Sequence, residues 1–498
     1  MKKPICLVVE GTYPYVFGGV SAWVHMLLGT MREFPFHLYH IGSLPAPDRR
    51  QQYRLPENVS SLSEVFIHAV SLSGIGADPY PRKTWRAIEE FHQRMKQGDV
   101  RGFPALLGAL APGGNWPAMG DILNSPPVWE ILARTYRASC PAQSFIDYFW
   151  TWRFMHLPLI KLLSTPPPRA DLYHATSTGY AGIAAAAAGI RNRRPVIITE
   201  HGLYTMERRL EVDRAPWIYA PEEQQAPLTG EASYFRGMWV RYFDSLARIA
   251  YQGADRVTAL SSTLQREQAK LGADPSRMVV IPNGLDLSAF QENPPSSREG
   301  PRVAFVGRVV AIKDVKRFIK ACRLVAEEVP GASFAIYGPT EEEPEYAAAC
   351  RNPVRVLGLE GKVAFMGEQP IERILPEVDI LALTSHVEAQ PLVVMEAMAA
   401  GVPVVAPDVG ACAELLRGGS DPADRELGVA GIVTPAGGME QVAAAIIRLS
   451  RSPRERRAMG QSGRARIARF YRLDTLIDRY RSLYETLQEE ARDGGDRA

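Results

Sequence analysis

The stretch Ile380-Leu-Ala-Leu383, followed by Glu388-Ala-Gln-Pro-Leu-Val-Val-Met-Glu396-Ala-Met-Ala-Ala-Gly401-Val-Pro403 and Val404-Val-Ala406, decides the fold. A short apolar run, a loop, an apolar helix, a glycine and a second apolar run make one strand–helix–strand unit. Pro391 opens the helix and Gly401 closes it, each at the end its backbone chemistry favours. The same alternation continues in both directions. Val303–Val306, Ser333–Tyr337, Val363–Met366 and Ile432–Val433 read as strands, with helices over Val315–Glu328 and Met439–Leu449. In the first half Ile5–Val9, Phe36–Ile41, Leu172–His174, Val196–Thr199, Arg256–Leu260 and Val279–Ile281 read as strands, with helices over Val20–Met31, Ala181–Ala188 and Gly237–Gln252. Short apolar strands separated by helices predict parallel sheets wound on both faces.

Gln291–Pro301, rich in Pro, Ser and charge, is the best linker, because the strand–helix series restarts after it. The expected organisation is a first domain over 1–290, a second over 291–465, and a terminal segment 466–498 that packs back on the first domain. Within the first domain, about 45–165 breaks the alternation and reads as a helical insertion, with helices over Thr84–Gln97, Val128–Ala138 and Ser144–Leu163 between Pro-rich loops such as Ala111–Pro117. Arg464–Glu489 reads as one helix with an apolar stripe, and the tail Ala491–Ala498 reads as disordered.

Composition narrows the function. The chain has 498 residues, 46% hydrophobic and 22% charged, with a formal net charge of +2. That balance argues against a dedicated nucleic-acid binder, which concentrates basic charge. Five scattered cysteines, none in Cys-x-x-Cys spacing, read as free thiols and exclude a disulfide scaffold. No run reaches the ~18 apolar residues that span a bilayer. Phe145–Leu163, the nearest candidate, carries Asp147, Arg153, His156 and Lys161. The N-terminal apolar run Ile5–Val9 is shorter than the ~7–15 residues of a signal-peptide core. The expectation is a soluble, cytoplasmic protein, recruited to the inner face of the cytoplasmic membrane.

Chemistry concentrates at the ends of the strands. Glu388 and Glu396 are eight apart, a little over two helical turns, which places them on roughly the same side. The amides around Pro391, Leu392 and Val393, just past Gln390, stand at the helix start, where unpaired N–H groups and the positive dipole end attract phosphate. A carboxylate one turn on suits the vicinal hydroxyls of a ribose. Arg308 and Lys313 follow the first strand of the second half, and an arginine fork with a lysine point charge suits a diphosphate. The chain has no Asp-x-Asp, so a metal-bridged diphosphate has no obvious ligand pair.

Gly18-Gly19 lies between a strand and a helix, where a backbone can approach a ligand closely, and is also compatible with a plain turn. Glu200-His201-Gly202 ends a strand, and His201 by itself reads first as a structural histidine capping the sheet. Asn283-Gly284 is first of all a turn. Tyr337-Gly338 ends a strand on the ligand side and is expected to line a nucleotide pocket, and Glu368 follows the strand end Phe365-Met366-Gly367. Trp150, Trp152, Phe154 and Met155 read as helix core.

Taken together, Glu388-x7-Glu396 with its continuation through Leu416, the Gly18-Gly19 loop, Glu200-His201-Gly202, Ile281-Pro-Asn283-Gly284-Leu-Asp286 and Val306-Gly307-Arg308 with Lys313 resemble the retaining glycosyltransferases of family 4, the glycogen-synthase-like group. The resemblance covers most of 1–40 and 170–490. It implies the GT-B fold: two Rossmann-like doubly wound domains facing across a cleft. It implies a UDP-sugar donor, no metal or other cofactor, and retention of anomeric configuration by a front-face route. His201, Arg308, Lys313 and Glu388 would be the catalytic residues. Gly18, Gly19, Arg308, Lys313, Tyr337, Glu388, Gln390, Pro391, Leu392, Val393 and Glu396 would bind the donor. The N-terminal string Cys6–Leu28, with the insertion, resembles more narrowly the glycosyltransferases of bacterial Pel exopolysaccharide synthesis. That implies a polysaccharide acceptor, inner-membrane polysaccharide synthase or export subunits as partners, and no nucleic acid. A GT-B-fold sugar-nucleotide epimerase and a non-catalytic scaffold of a membrane synthase are the alternatives.

Overall fold

The computed structural model describes residues 2–46, 48–69, 78–111, 116–215, 234–292 and 300–495. Most of the expected linker, 293–299, and the last three residues of the tail lie outside the described residues, as do 112–115 of the Pro-rich loop. The chain divides into two compact units. One comprises Met1–Thr258, Glu267–Val279 and Arg481–Ala498; the other comprises Ala259–Arg266 and Val280–Tyr480.

The first unit is built on a seven-stranded sheet. Its strands are β1 (Ile5–Glu10), β2 (Phe36–Gly42), β3 (Val59–Phe66), β4 (Leu172–Ala175), β5 (Val196–Glu200), β6 (Arg256–Ala259) and β7 (Met278–Val280), in the order β3-β2-β1-β4-β5-β6-β7. The pairs β1–β2, β1–β4, β2–β3 and β4–β5 run parallel. Ile5 to Val9 are fully buried, as strands covered on both faces must be. The alanine run has a packing reason. The helix Tyr180–Asn192 meets the helix Tyr234–Gly253 through small residues: a Cβ on Gly182 would lie 2.7 Å from the Ala250 Cβ, and one on Gly253 2.6 Å from the Ala186 Cβ.

Strand β3 was not legible as a strand, and it shortens the expected insertion. Val59–Phe66 pairs with β2 at the sheet edge, where only Val65 is buried. Half-polar edge strands lose the apolar signal that marks central ones. The helical part runs over Arg82–Lys96, Phe103–Leu110, Met119–Leu123, Pro126–Ser139 and Phe145–Ser164. On the last of these, Trp152 and Met155 are buried, but Trp150 and Phe154 are 48% and 49% exposed and stack at 5.9 Å. The helix-core reading therefore holds for one face only.

The second unit is built on β8 (Arg302–Val306), β9 (Ser333–Tyr337), β10 (Val363–Gly367), β11 (Ile380–Ala382), β12 (Val404–Pro407) and β13 (Gly431–Thr434), in the parallel order β10-β9-β8-β11-β12-β13. The order reverses between β8 and β11, the switch point where open α/β sheets bind ligands at their carboxyl ends. The expected single terminal helix is two, Pro453–Phe470 and Leu473–Gly495. They break where Tyr471 O accepts from Leu285 N–H (2.9 Å) and Leu473 N–H donates to Leu285 O (3.0 Å). A Cβ on Gly284 would lie 2.5 Å from Arg472 O, so this crossing requires the glycine of Asn283-Gly284. The last helix continues to Gly495, through part of the tail read as disordered. In its later half, the Tyr484 hydroxyl hydrogen-bonds His174 Nδ1 (2.7 Å) and Gln488 Nε2 donates to Lys3 O (3.2 Å), both within the first unit.

Among the described residues no helix is long and apolar enough to cross a membrane. All five cysteines are buried and none forms a disulfide.

Candidate active site

In the second unit, three loops at the carboxyl ends of the strands are laced together by backbone contacts. Gly307 N–H donates to Tyr337 O (2.9 Å) and Val309 N–H to Pro339 O (2.9 Å). A Cβ on Gly338, at φ +139°, would lie 2.0 Å from Gly307 O, so the two loops touch backbone to backbone. The loop after β11 grips the other side. The Thr384 hydroxyl donates to the carbonyls of Lys313 (3.2 Å) and Asp314 (3.0 Å), and His386 N–H donates to Ile312 O (2.8 Å). Asp314, left-handed at φ 47°, caps the helix Val315–Glu328 by accepting from Arg317 N–H. The chain thus turns sharply at Lys313 and presents its side chain to the loop after β11.

There Lys313 Nζ lies 2.5 Å from Glu388 Oε1, which also accepts from the Ser385 hydroxyl (2.6 Å). The Glu388 side chain is 8% exposed and that of Lys313 20%. Glu388 precedes the helix Leu392–Ala399, so helical phase does not align it with Glu396. Its position comes from the next strand's loop. Gly410, at φ +53°, leaves 2.0 Å between a hypothetical Cβ and Glu388 O, and Ala411 N–H donates to Ala389 O (2.7 Å).

Pro391 caps that helix and has no N–H, and Leu392 and Val393 begin it, so their N–H groups have no intrahelical acceptor. Glu396 is in the second turn. Among the described residues its carboxylate has no hydrogen-bond or ion-pair partner. Burial, then the neighbouring Glu372 carboxylate, pushes its pKa up to about 7.

Arg308 is half exposed, and its Nη1 lies 2.6 Å from each carboxylate oxygen of Glu342. Beside it Ala311 N–H donates to Glu343 Oε2 (2.9 Å). Sequence reasoning missed Glu342 and Glu343. The available signal was the run Glu341-Glu342-Glu343 directly after a strand end. Two expected donor-binding side chains have other partners. Tyr337 is 8% exposed and packs in the apolar core with Phe290, Ile374 and Leu381. Gln390 is 5% exposed, and its Oε1 accepts from Asn283 N–H (2.7 Å), which ties the helix start to the Asn283-Gly284 turn. Glu368 is exposed beyond β10.

The first unit's strand ends carry different chemistry. Gly18 caps the helix Gly19–Thr30, and a Cβ on Gly18 or Gly19 would meet nothing within 4 Å. The protein's own packing therefore does not demand these glycines. Glu200 is buried and fully satisfied: it accepts from the hydroxyls of Thr178 (2.7 Å) and Tyr251 (2.5 Å), from Gln268 Nε2 (3.0 Å) and from Tyr204 N–H (3.3 Å). It is a structural knot, as four bonds to one buried carboxylate require. His201 next to it packs edge-on against Trp23, with ring centroids 4.5 Å apart. Among the described residues its Nε2 is buried without a partner, and burial lowers its pKa to about 4. A Cβ on Gly202 would lie 2.3 Å from Glu207 Oε1. Glu10, at the end of β1, was not singled out from sequence. It accepts from Ala181 N–H (3.2 Å) and from the hydroxyls of Tyr204 (3.3 Å) and Ser177 (3.4 Å). Burial raises its pKa and the Arg208 charge opposes that rise.

Among the described residues, no three His, Cys, Asp or Glu side chains gather as metal ligands.

Two doubly wound sheets with a polar switch point in the second define the class, the GT-B glycosyltransferase fold. Sucrose-phosphate synthase from Thermosynechococcus elongatus has it, with a TM-score of 0.58 at 17% identity over 98% of this chain and 99% of that one. So does Anabaena HepE solved with UDP, with a TM-score of 0.57 at 17% identity over 98% of this chain and 100% of that one. Residues 3–276, more than half the chain, match the family model described as a domain of unknown function (DUF3492), and the chain belongs to that family. Residues 300–452 match the model of glycosyl transferases group 1. Curated relatives include the D-inositol 3-phosphate glycosyltransferase of Nocardia farcinica, 30% identical over 34% of this chain and 40% of that one. The MMP alpha-(1->4)-mannosyltransferase of Mycolicibacterium hassiacum is 26% identical over 58% of this chain and 65% of that one. The chain spans about half the length of the curated relatives it matches.

Proposed function

We propose that the chain is a nucleotide-sugar-dependent hexosyltransferase. It moves a hexosyl or N-acetylhexosaminyl unit from a UDP-sugar to a growing exopolysaccharide, with retention of configuration and without a metal. The observation that carries this reading is the cation pair of the second unit. Arg308 and Lys313 stand at the carboxyl end of β8, on the switch point, and Lys313 already holds an anion on a side chain only 20% exposed. Such fixed cations neutralise a departing diphosphate without a divalent ion. The relatives' glycosyltransferase names, and a GT-B neighbour solved with UDP-glucose, support a nucleotide-sugar donor.

The roles follow from the groups present. Arg308 and Lys313 take the diphosphate, assisted by the N–H groups of Leu392 and Val393 at the helix start. Glu388, held by Ser385, accepts from hydroxyls of the transferred sugar, and Glu396 from those of the ribose. Tyr337 and Gln390 contribute by fixing the loops. In the first unit His201 is neutral near pH 7, so its Nε2 accepts from or donates to a hydroxyl, and the Gly18-Gly19 loop gives backbone access. The departing phosphate oxygen takes the acceptor proton, so no carboxylate nucleophile is needed. The finer resemblance, to the Pel glycosyltransferase PelF, assigns the polysaccharide acceptor and a membrane synthase or export complex as partner.

The test is UDP release from UDP-glucose, UDP-galactose and UDP-N-acetylglucosamine, with and without polysaccharide, and with the product's anomeric configuration read by NMR. Acceptor-dependent release with retention supports the reading. Conversion of the donor sugar without acceptor identifies an epimerase instead, and no turnover of any donor identifies a scaffold.

A further inference from the structure

The loop Thr340–Glu343 follows β9 and has nothing to do in the reading above, yet it touches the donor-binding groups directly. Its base is fixed: Val309 N–H bonds Pro339 O, and Gly338 abuts Gly307 O. Its tip is anchored by Pro344, which opens the helix Pro344–Val356. Between these points Glu342 places both carboxylate oxygens 2.6 Å from Arg308 Nη1, and Glu343 accepts from Ala311 N–H at 2.9 Å. A carboxylate with two oxygens on one guanidinium, beside a second on a backbone N–H, fills the charge and hydrogen-bond demand that a phosphate would fill. Glu343 has an ordinary reason to be acidic, since it precedes a helix start. Glu342 has none of that kind: it faces Arg308, and its side chain and that of Arg308 are 52% and 51% exposed, so the pair can open.

We propose that Glu342 is an internal competitor for the donor's diphosphate. It holds Arg308 while the site is empty, yields to the nucleotide on binding, and returns as the nucleoside diphosphate leaves. The inference rests on the assignment of Arg308 to the diphosphate and adds a residue that sets donor affinity and product release. An internal ligand that must be displaced lowers apparent affinity by the fraction of time it occupies the site. For a pair this exposed the penalty is about two- to five-fold. The neutral isostere removes the competing charge and keeps the shape.

Titration calorimetry of UDP and uridine into the full chain, into Glu342→Gln, into Arg308→Gln and into the double variant decides it. The expected result is a UDP Kd about two- to five-fold lower in Glu342→Gln, with unchanged uridine binding and no gain from Glu342→Gln in the Arg308→Gln background. The gain should shrink as salt rises from 50 to 500 mM, because the lost competitor was a screened exposed charge. Unchanged or weaker UDP binding by Glu342→Gln, with normal binding by the parent chain, overturns the competitor and leaves the diphosphate assignment standing. Loss of UDP binding in Glu342→Gln but not in Arg308→Gln would make Glu342 itself a ligand and overturn it as well. A parent chain that binds no UDP overturns both.

Discussion

The carboxyl ends of the two sheets answer the same architectural problem with opposite electrostatics. In the second unit the charged groups are ion-paired, Lys313 on Glu388 and Arg308 on Glu342, and the helix that starts just past Glu388 opens with N–H groups that have no intrahelical acceptor. In the first unit the polar groups are buried and saturated or neutral. Glu200 carries four hydrogen bonds, Glu10 three, and burial holds His201 uncharged above pH ~4. A polyanion needs the first kind of surface, because fixed cations that already carry an anion are not stranded when it leaves. A neutral hydroxyl needs the second kind, where a single unpartnered nitrogen such as His201 Nε2 gives direction without a field. On the proposed reading, the contrast puts the diphosphate at the strand ends of the second unit and hydroxyl recognition by a neutral His201 at those of the first.

The contrast breaks most readily at Lys313. Lys313→Ala should lower kcat with a UDP-sugar by ~100-fold or more, since a fixed donor aimed at developing charge is worth about 3 kcal/mol. Arg308→Ala should cost the same or less, because Arg308 is half exposed. Steady-state kinetics at saturating donor check both, and near-parental rates in both variants would remove the electrostatic half of the comparison. His201→Ala should have a smaller effect, about ten-fold in kcat, the loss of one neutral hydrogen bond near the reaction. Its signature is the pH profile: His201 titrates near 4, so parent activity between pH 5.5 and 8 should show no inflection that His201→Asn abolishes.

Glu396 sharpens the comparison through stability. Its folded pKa of about 7 exceeds the ordinary carboxylate value of 4.5. The fold therefore binds a proton that the unfolded chain has released across that window. Stability from this group is fully present below pH 4.5 and declines as pH rises through about 7. Glu396→Gln should flatten that decline. The melting-temperature difference, variant minus parent, should grow from pH 5 to pH 7.5, and a difference independent of pH would refute the raised Glu396 pKa. The smallest effect expected is none. Activity should survive EDTA, as cations of the chain itself replace a divalent ion; loss restored by one metal would contradict the proposed chemistry.

How much of this was legible depended on whether a feature is local in sequence. Central strands such as β1 and β12 were readable because their runs Ile5–Val9 and Val404–Ala406 are wholly apolar, and the helix Leu392–Ala399 because proline and glycine bracket it. The edge strand β3, the break at Tyr471-Arg472 and the outward-facing Trp150 and Phe154 were not, since edge position, a crossing by Leu285 and the burial of one helix face are tertiary facts. Site residues followed the same rule. Arg308, Lys313 and Glu388 were visible as charges in the loops after strands, and Glu396 as the second carboxylate of Glu388-x7-Glu396. Gln390 and Tyr337 have the right addresses, but a backbone N–H from Asn283 and an apolar core claim their side chains. Glu10 and Glu342 were missed because each has meaning only through residues distant in sequence, Tyr204 in one case and Arg308 in the other.

The account stands most directly on where a nucleotide diphosphate lies in the second unit. A crystal structure of the chain with UDP should place the diphosphate within hydrogen-bonding distance of Arg308, Lys313 and the N–H groups of Leu392 and Val393, with Glu342 displaced from Arg308. UDP bound with its phosphates on other residues, and with the Arg308–Glu342 and Lys313–Glu388 pairs intact, would contradict it.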